Sequence, residues 1–158
     1  MKHLQPLLFS CLLMITSVQE KAPTIDIKPG ASIYVVAIKS NNQAADLTAE
    51  RKAKEEFSKS KTFKLATSLA NADLVYFMLT EYEYNQTGVF GISTGSEDLK
   101  NIAVFVLKPD DYKAHKQSLD ELREAAIWQQ AKSTGPMRGS GQLSKLVKAF
   151  QEQAIKKK

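Results

Sequence analysis

Residues 32–38 (Ser-Ile-Tyr-Val-Val-Ala-Ile) constrain the fold of this chain more than any other segment. β-branched and aromatic side chains follow one another almost without a break. The run is too short for a buried helix and reads as a strand covered on both faces. Such a strand needs a sheet around it and helices to cover it. Residues 102–107 (Ile-Ala-Val-Phe-Val-Leu) repeat the pattern and stop before Pro109. Residues 73–84 give the longest strand expected. Its first half is apolar, while its second half alternates tyrosine with glutamate and should leave the core half-exposed.

Weaker signals complete the set of elements. Residues 62–67 alternate Phe63 and Leu65 with polar neighbours and predict another strand. Residues 85–101 hold Gly88, Gly91 and Gly95 and read as a long hairpin loop. Residues 110–117 are a polar excursion, and residues 119–125 suit a short helical turn. Residues 126–132, around Trp128, favour helix by propensity but strand by their place in the pattern, and strand is the expectation.

Two longer helices are marked. Asp46 can cap a helix running to about residue 59, with Ala49, Ala53 and Phe57 as its narrow apolar stripe. Leu143, Leu146, Val147, Phe150 and Ala154 line one face of a last helix over residues 142–156. A helix after the first strand implies a crossover, and the later strands can pair through hairpins. The expected fold is α/β, of the α+β type: a single mixed β-sheet of about five strands with two main helices packed on one face.

The start of the chain sets where this domain works. Lys2 and His3 precede an uncharged apolar run over residues 4–18. That run is shorter than the roughly 20 apolar residues of a bilayer-spanning helix and matches an export signal. The expected organisation is a signal peptide over residues 1–19, a Pro- and Gly-containing linker over residues 20–30, and one globular domain over residues 31–158. The expected location is periplasmic or secreted, with no stable membrane span once the signal is removed. Cys11, with Leu8, Phe9 and Ser10 before it, resembles a lipoprotein processing site, but the apolar run continues past it.

Composition excludes several kinds of chemistry. Cys11 is the single cysteine, so a processed chain has no disulfide, thiol nucleophile or thiolate metal site. His115 is then the one histidine, too few for a multi-histidine metal site. Lys2 is the one basic residue in the leader, so the chain's 22 basic and 17 acidic residues become 21 and 17, a net charge of +4. These charges are interleaved, with no basic stripe dotted with aromatics, which argues against nucleic acid. No cofactor and no metal site are expected.

Three segments carry a resemblance. Residues 71–76 (Asn-Ala-Asp-Leu-Val-Tyr) open a strand, residues 122–129 (Leu-Arg-Glu-Ala-Ala-Ile-Trp-Gln) precede a Gly-containing loop, and residues 143–150 (Leu-Ser-Lys-Leu-Val-Lys-Ala-Phe) form the last helix. Together they resemble a family of small, exported, uncharacterised bacterial proteins. More distantly, the element order is similar to the N-terminal part of TolB and to the curli-secretion lipoprotein. This likeness implies a binding or assembly role in the cell envelope and brings no catalytic residues with it.

Tyr82, Tyr84 and Phe90, with the glycine-rich segment, form a candidate partner-binding surface, because aromatic residues are enriched in interface cores. Arg138, Gly139, Ser140 and Gly141 form a candidate anion site at the start of the last helix. The same stretch also reads as a plain loop with Ser140 as the helix cap. Glu81 and Glu83 fall on one strand face and would make an acid–base pair only if buried, and the alternation with tyrosine is expected to turn both towards water. Asp110 and Asp111 follow Lys108 and Pro109 as ordinary turn chemistry. The expected function is a non-catalytic module that binds an envelope protein or polymer. The alternatives are a hydrolase using carboxylates or a serine with His115, and a passive structural or stress-related exported domain.

Overall fold

The computed structural model describes residues 27–89, 92–133 and 139–154. In chain order these form β1 (Ser32–Lys39), α1 (Leu47–Ser58), β2 (Lys64–Leu65), a 3₁₀ turn (Leu69–Asn71), β3 (Leu74–Val89) and β4 (Ile92–Leu107). Then follow α2 (Pro109–His115), α3 (Leu119–Ala125), β5 (Trp128–Ser133) and α4 (Gly139–Ala154). The five strands make one mixed sheet in the order β2-β1-β3-β4-β5. β1 runs parallel to β2 and β3, while β3–β4 and β4–β5 are antiparallel. This is the α/β fold, with a single mixed five-stranded sheet, that the apolar runs demand.

The period-2 pattern of β3 sorts its side chains between two layers. Tyr76 and Met78 join α1 and α4 in one core, together with Ala49, Ala53, Phe57, Leu146 and Phe150. Phe150 is the hub of that core: its ring centroid lies 5.2 Å from those of Phe63 and Trp128 and 5.8 Å from that of Tyr76. The Trp128 Nε1–H donates to Gln153 Oε1 at 2.7 Å, so the one tryptophan is a packing residue with its polar tip satisfied. The two main helices therefore share one face, as expected.

The opposite face is covered as well. Val75, Phe77, Leu79, Phe105 and Leu107 bury against Leu122 of α3 and Ala126, with Tyr112 of α2 packed on them. Residues 110–117, expected as a polar excursion, are thus mostly helix. Pro109 opens α2, and Asp110 and Asp111 sit in its first turn, where backbone N–H groups and the helix dipole favour acids. One tyrosine facing the sheet is enough to anchor so short a helix.

Two further expectations change. The strand expected over residues 62–67 shrinks to the two-residue β2, because Phe63 turns into the core before pairing begins. The segment expected as a hairpin loop is mostly strand, since β3 and β4 pair from Val75↔Leu107 to Val89↔Ile92.

Candidate functional site: the hairpin arm and its base

β1 pairs with β3 only as far as Lys39↔Thr80. β5 pairs with β4 only as far as Ser133↔Asn101. Beyond these points, among the described residues, β3 and β4 pair only with each other, from Tyr82↔Leu99 out to Val89↔Ile92. The outcome is a two-stranded arm, roughly 25 Å long at about 3.3 Å per residue. A bulge marks where it leaves the sheet. Glu81 faces Asn101 and Tyr82 faces Leu99, so Lys100 is the extra residue.

A polar hub fastens the base of the arm to the body. Asp46 caps α1, its Oδ1 accepting from the Ala49 N–H at 3.0 Å. Its Oδ2 accepts from Thr80 Oγ1 and from Tyr82 Oη, each at 2.7 Å. Asp46 is 2% exposed. Burial alone would raise its pKa, but the three donors and the positive charge of Lys39 outweigh that and hold the carboxyl below its ordinary value. The Tyr82 hydroxyl shifts the opposite way, raised by burial and by donating to the carboxylate. Lys39 Nζ lies 4.9 Å from the Tyr82 ring centroid and 2.9 Å from Glu97 Oε2 on β4. It therefore stitches β1 across Tyr82 to the far strand of the arm, and Glu97 raises its pKa.

The tyrosines expected as a partner surface divide between two tasks. Tyr82 is half-buried with its hydroxyl in the hub. Tyr84 is 61% exposed and lies diagonally over Gly95, where a β-carbon would overlap its ring. Phe90 lies outside the described residues. Glu81 and Glu83 do not share an environment. Glu81 is buried at 5% exposure and accepts from Asn101 Nδ2 at 2.6 Å, because the sheet still flanks it there. Glu83 stands on the arm, exposed, 4.0 Å from Lys100 Nζ. The expectation that both face water therefore fails for Glu81.

The remaining candidates lie elsewhere. α4 begins at Gly139, so Ser140 sits in its first turn, and Gly141 faces open space. Arg138 lies outside the described residues. His115 Nδ1 is 2.9 Å from Glu121 Oε2 at the exposed α2–α3 turn. Asp110 pairs with Lys113 within α2. Among the described residues no three His, Cys, Asp or Glu side chains converge on a common metal position. No helix among them is long and apolar enough to cross a membrane.

Sequence reasoning reads Asp46 only as a helix cap and passes over Lys39, Thr80 and Glu97. Their partners are 34 to 58 residues away along the chain, so no local spacing reveals the hub. The one hint is Asp46 itself, an acceptor with a second oxygen to spare.

No family model matches the sequence, and no curated protein matches it. Among solved structures the PelC dodecamer from Paraburkholderia phytofirmans is similar, with 15% identity and a TM-score of 0.50, over 88% of this chain and 97% of that one. A variant of the same protein matches at 13% identity and a TM-score of 0.49, over 87% of this chain and 97% of that one. At 15% identity, what this chain has in common with PelC is its fold.

Proposed function

We propose that this protein is an exported, non-catalytic binding or assembly module of the cell envelope, and that the hairpin arm is its docking element. The observation that carries this reading is that, among the described residues, no third strand pairs with either outer edge of the arm. An isolated two-stranded ribbon is marginal in water, and an outer edge that no third strand pairs can take one from a partner. The hub at Asp46 supports the same reading, since it fixes the direction in which the arm leaves the body. Tyr84 supplies an exposed aromatic on the arm, and Phe90 belongs to the same proposed surface. The partner is an envelope protein or polymer. The structurally similar PelC chain is described as a dodecamer, which agrees with an assembly role. The Arg138, Gly139, Ser140 and Gly141 stretch stays a secondary proposal as an anion contact.

The test is affinity capture of the tagged chain from envelope extract, with mass spectrometry of what co-purifies. The wild type should retain a stoichiometric partner, and a Tyr84→Ala, Phe90→Ala double variant should lose most of it. A His115→Ala control should capture as the wild type does. Equal capture by the arm variant and the wild type would refute the docking role.

A further inference from the structure

The end of the sheet opposite the arm carries an open cavity of about 410 Å³, within the roughly 300–1,000 Å³ of small-molecule sites. It lies where β1 and β3 begin and β4 ends. Ile27, Ala31 and Leu74 are its apolar floor, and Ile27 and Leu74 are buried. Two Lys-Pro steps carry the lysines that line it. Residues 28–31 make a type II turn: the Ala31 N–H donates to the Lys28 carbonyl at 3.2 Å, and Gly30 takes the positive φ of 82° that this turn needs. The Gly30 N–H donates to the Thr62 carbonyl at 2.7 Å, which fastens the turn to the body. Lys108 stands extended (φ −72°, ψ 151°) before Pro109, as a residue preceding proline must. Both lysines are therefore carried on backbone with little freedom.

Asp73 is the fixed negative charge of the cavity. Its Oδ2 accepts from the Ser32 N–H and from Ser32 Oγ, each at 2.7 Å. These bonds hold the carboxyl below its ordinary pKa, so it is ionised at neutral pH. Both bonds fall on Oδ2, which leaves Oδ1 uncommitted among the described residues. Asp110, at the rim, is taken by Lys113 Nζ at 3.3 Å. Lys28 and Lys108 form no ion pair among the described residues. The cavity thus keeps two uncommitted ammonium groups and one uncommitted carboxylate oxygen above an apolar floor. A simple anion would meet Asp73 as well as the lysines, and a simple cation would meet two lysines. A molecule that carries both charges beside an apolar body matches every group present.

We propose that this cavity binds a free amino acid with an apolar side chain: its carboxylate at Lys28 and Lys108, its ammonium at Asp73 Oδ1, and its side chain on Ile27, Ala31 and Leu74. A residue at either end of a peptide keeps only one of the two charges on its α-carbon, so the site favours the free molecule. The inference is independent of the arm, which leaves the sheet past Lys39↔Thr80, at the other end of β1.

Isothermal titration of the purified chain with L-leucine and with L-phenylalanine, joined to amide chemical-shift mapping by NMR, tests this. At least one of the two should bind saturably, with shifts centred on residues 27–31, 73–74 and 108–110. Isocaproic and hydrocinnamic acid lack the ammonium group, and isoamylamine and phenethylamine lack the carboxylate. Each should bind on the order of tenfold more weakly than its parent amino acid. Lys28→Met, Lys108→Met and Asp73→Asn should each weaken binding by a similar factor, about tenfold, and the amide spectra of the variants report that they remain folded. Tyr84→Ala should bind as the wild type does. No binding of either amino acid in large excess overturns the proposal. So does binding whose shifts centre elsewhere, binding that a trimmed analogue matches, or binding that neither lysine variant weakens. None of these outcomes bears on the arm, whose own test is capture by the Tyr84→Ala, Phe90→Ala variant.

Discussion

Asp46 does three jobs with one carboxylate: it caps α1, holds Thr80 and orients Tyr82. Asp46→Ala should cost about 2–4 kcal/mol in urea denaturation. About 1 kcal/mol of that is the lost cap, and the rest comes from the Tyr82 hydroxyl left without its acceptor and Thr80 left with only the longer bond to the Ile38 carbonyl. The pH dependence follows from the direction of the shift. The folded pKa lies below the unfolded one, so the carboxylate's contribution is fully present above the unfolded value of about 3.9. It is lost as pH falls through the lower, folded value. The stability gap between wild type and Asp46→Ala should therefore be constant near neutral pH and narrow in acid. A gap of unchanged size at pH well below the carboxylate range would show that the charge of Asp46 contributes nothing.

At the scale of elements, the arm is held by its base and by cross-strand packing along its length. Gly95 leaves room for the Tyr84 ring on the neighbouring strand, an arrangement that compensates a strand glycine with an aromatic. Gly95→Val offers better β-propensity but places its side chain where the ring lies. The expected outcome is a loosened arm with an almost unchanged body. Limited proteolysis should cut the variant within residues 82–99 faster than the wild type, while the urea midpoint hardly moves. Resistance equal to the wild type would mean that the Tyr84 ring does not order the arm.

The whole molecule is a sheet closed on both faces, but its two layers differ in weight. The α1/α4 layer gathers Phe57, Phe63, Tyr76, Trp128 and Phe150 into one aromatic cluster. The α2/α3 layer rests mainly on Leu122, Ala126 and Tyr112. Phe150→Ala empties the hub of the heavier layer and should cost about 3–5 kcal/mol, a large part of the roughly 5–15 kcal/mol that stabilises an ordinary domain. Calorimetry should show a single transition moved to lower temperature, since the cluster joins α1, α4, β3 and β5. Two separated transitions would show that the layers unfold independently.

Local pattern by itself determined the strands at residues 32–38 and 102–107, the Asp46 cap, the stripe of Ala49, Ala53 and Phe57, and the amphipathic last helix. It also determined the strand around Trp128 and the mixed α/β class. Each of these depends on neighbours a few residues apart, which is the range over which hydrophobic periodicity and capping act. Tertiary structure alone decided the rest. The arm beyond residue 84 was illegible because glycine, serine and threonine carry almost no apolar pattern, and its strands are specified by each other across the hairpin. The helical cover from α2 and α3 was illegible because a seven-residue helix needs only one or two apolar contacts. The burial of Glu81, and the meeting of Lys39, Asp46, Thr80, Tyr82 and Glu97, were set by strand register. Register arises from packing the whole sheet, and no single segment contains it.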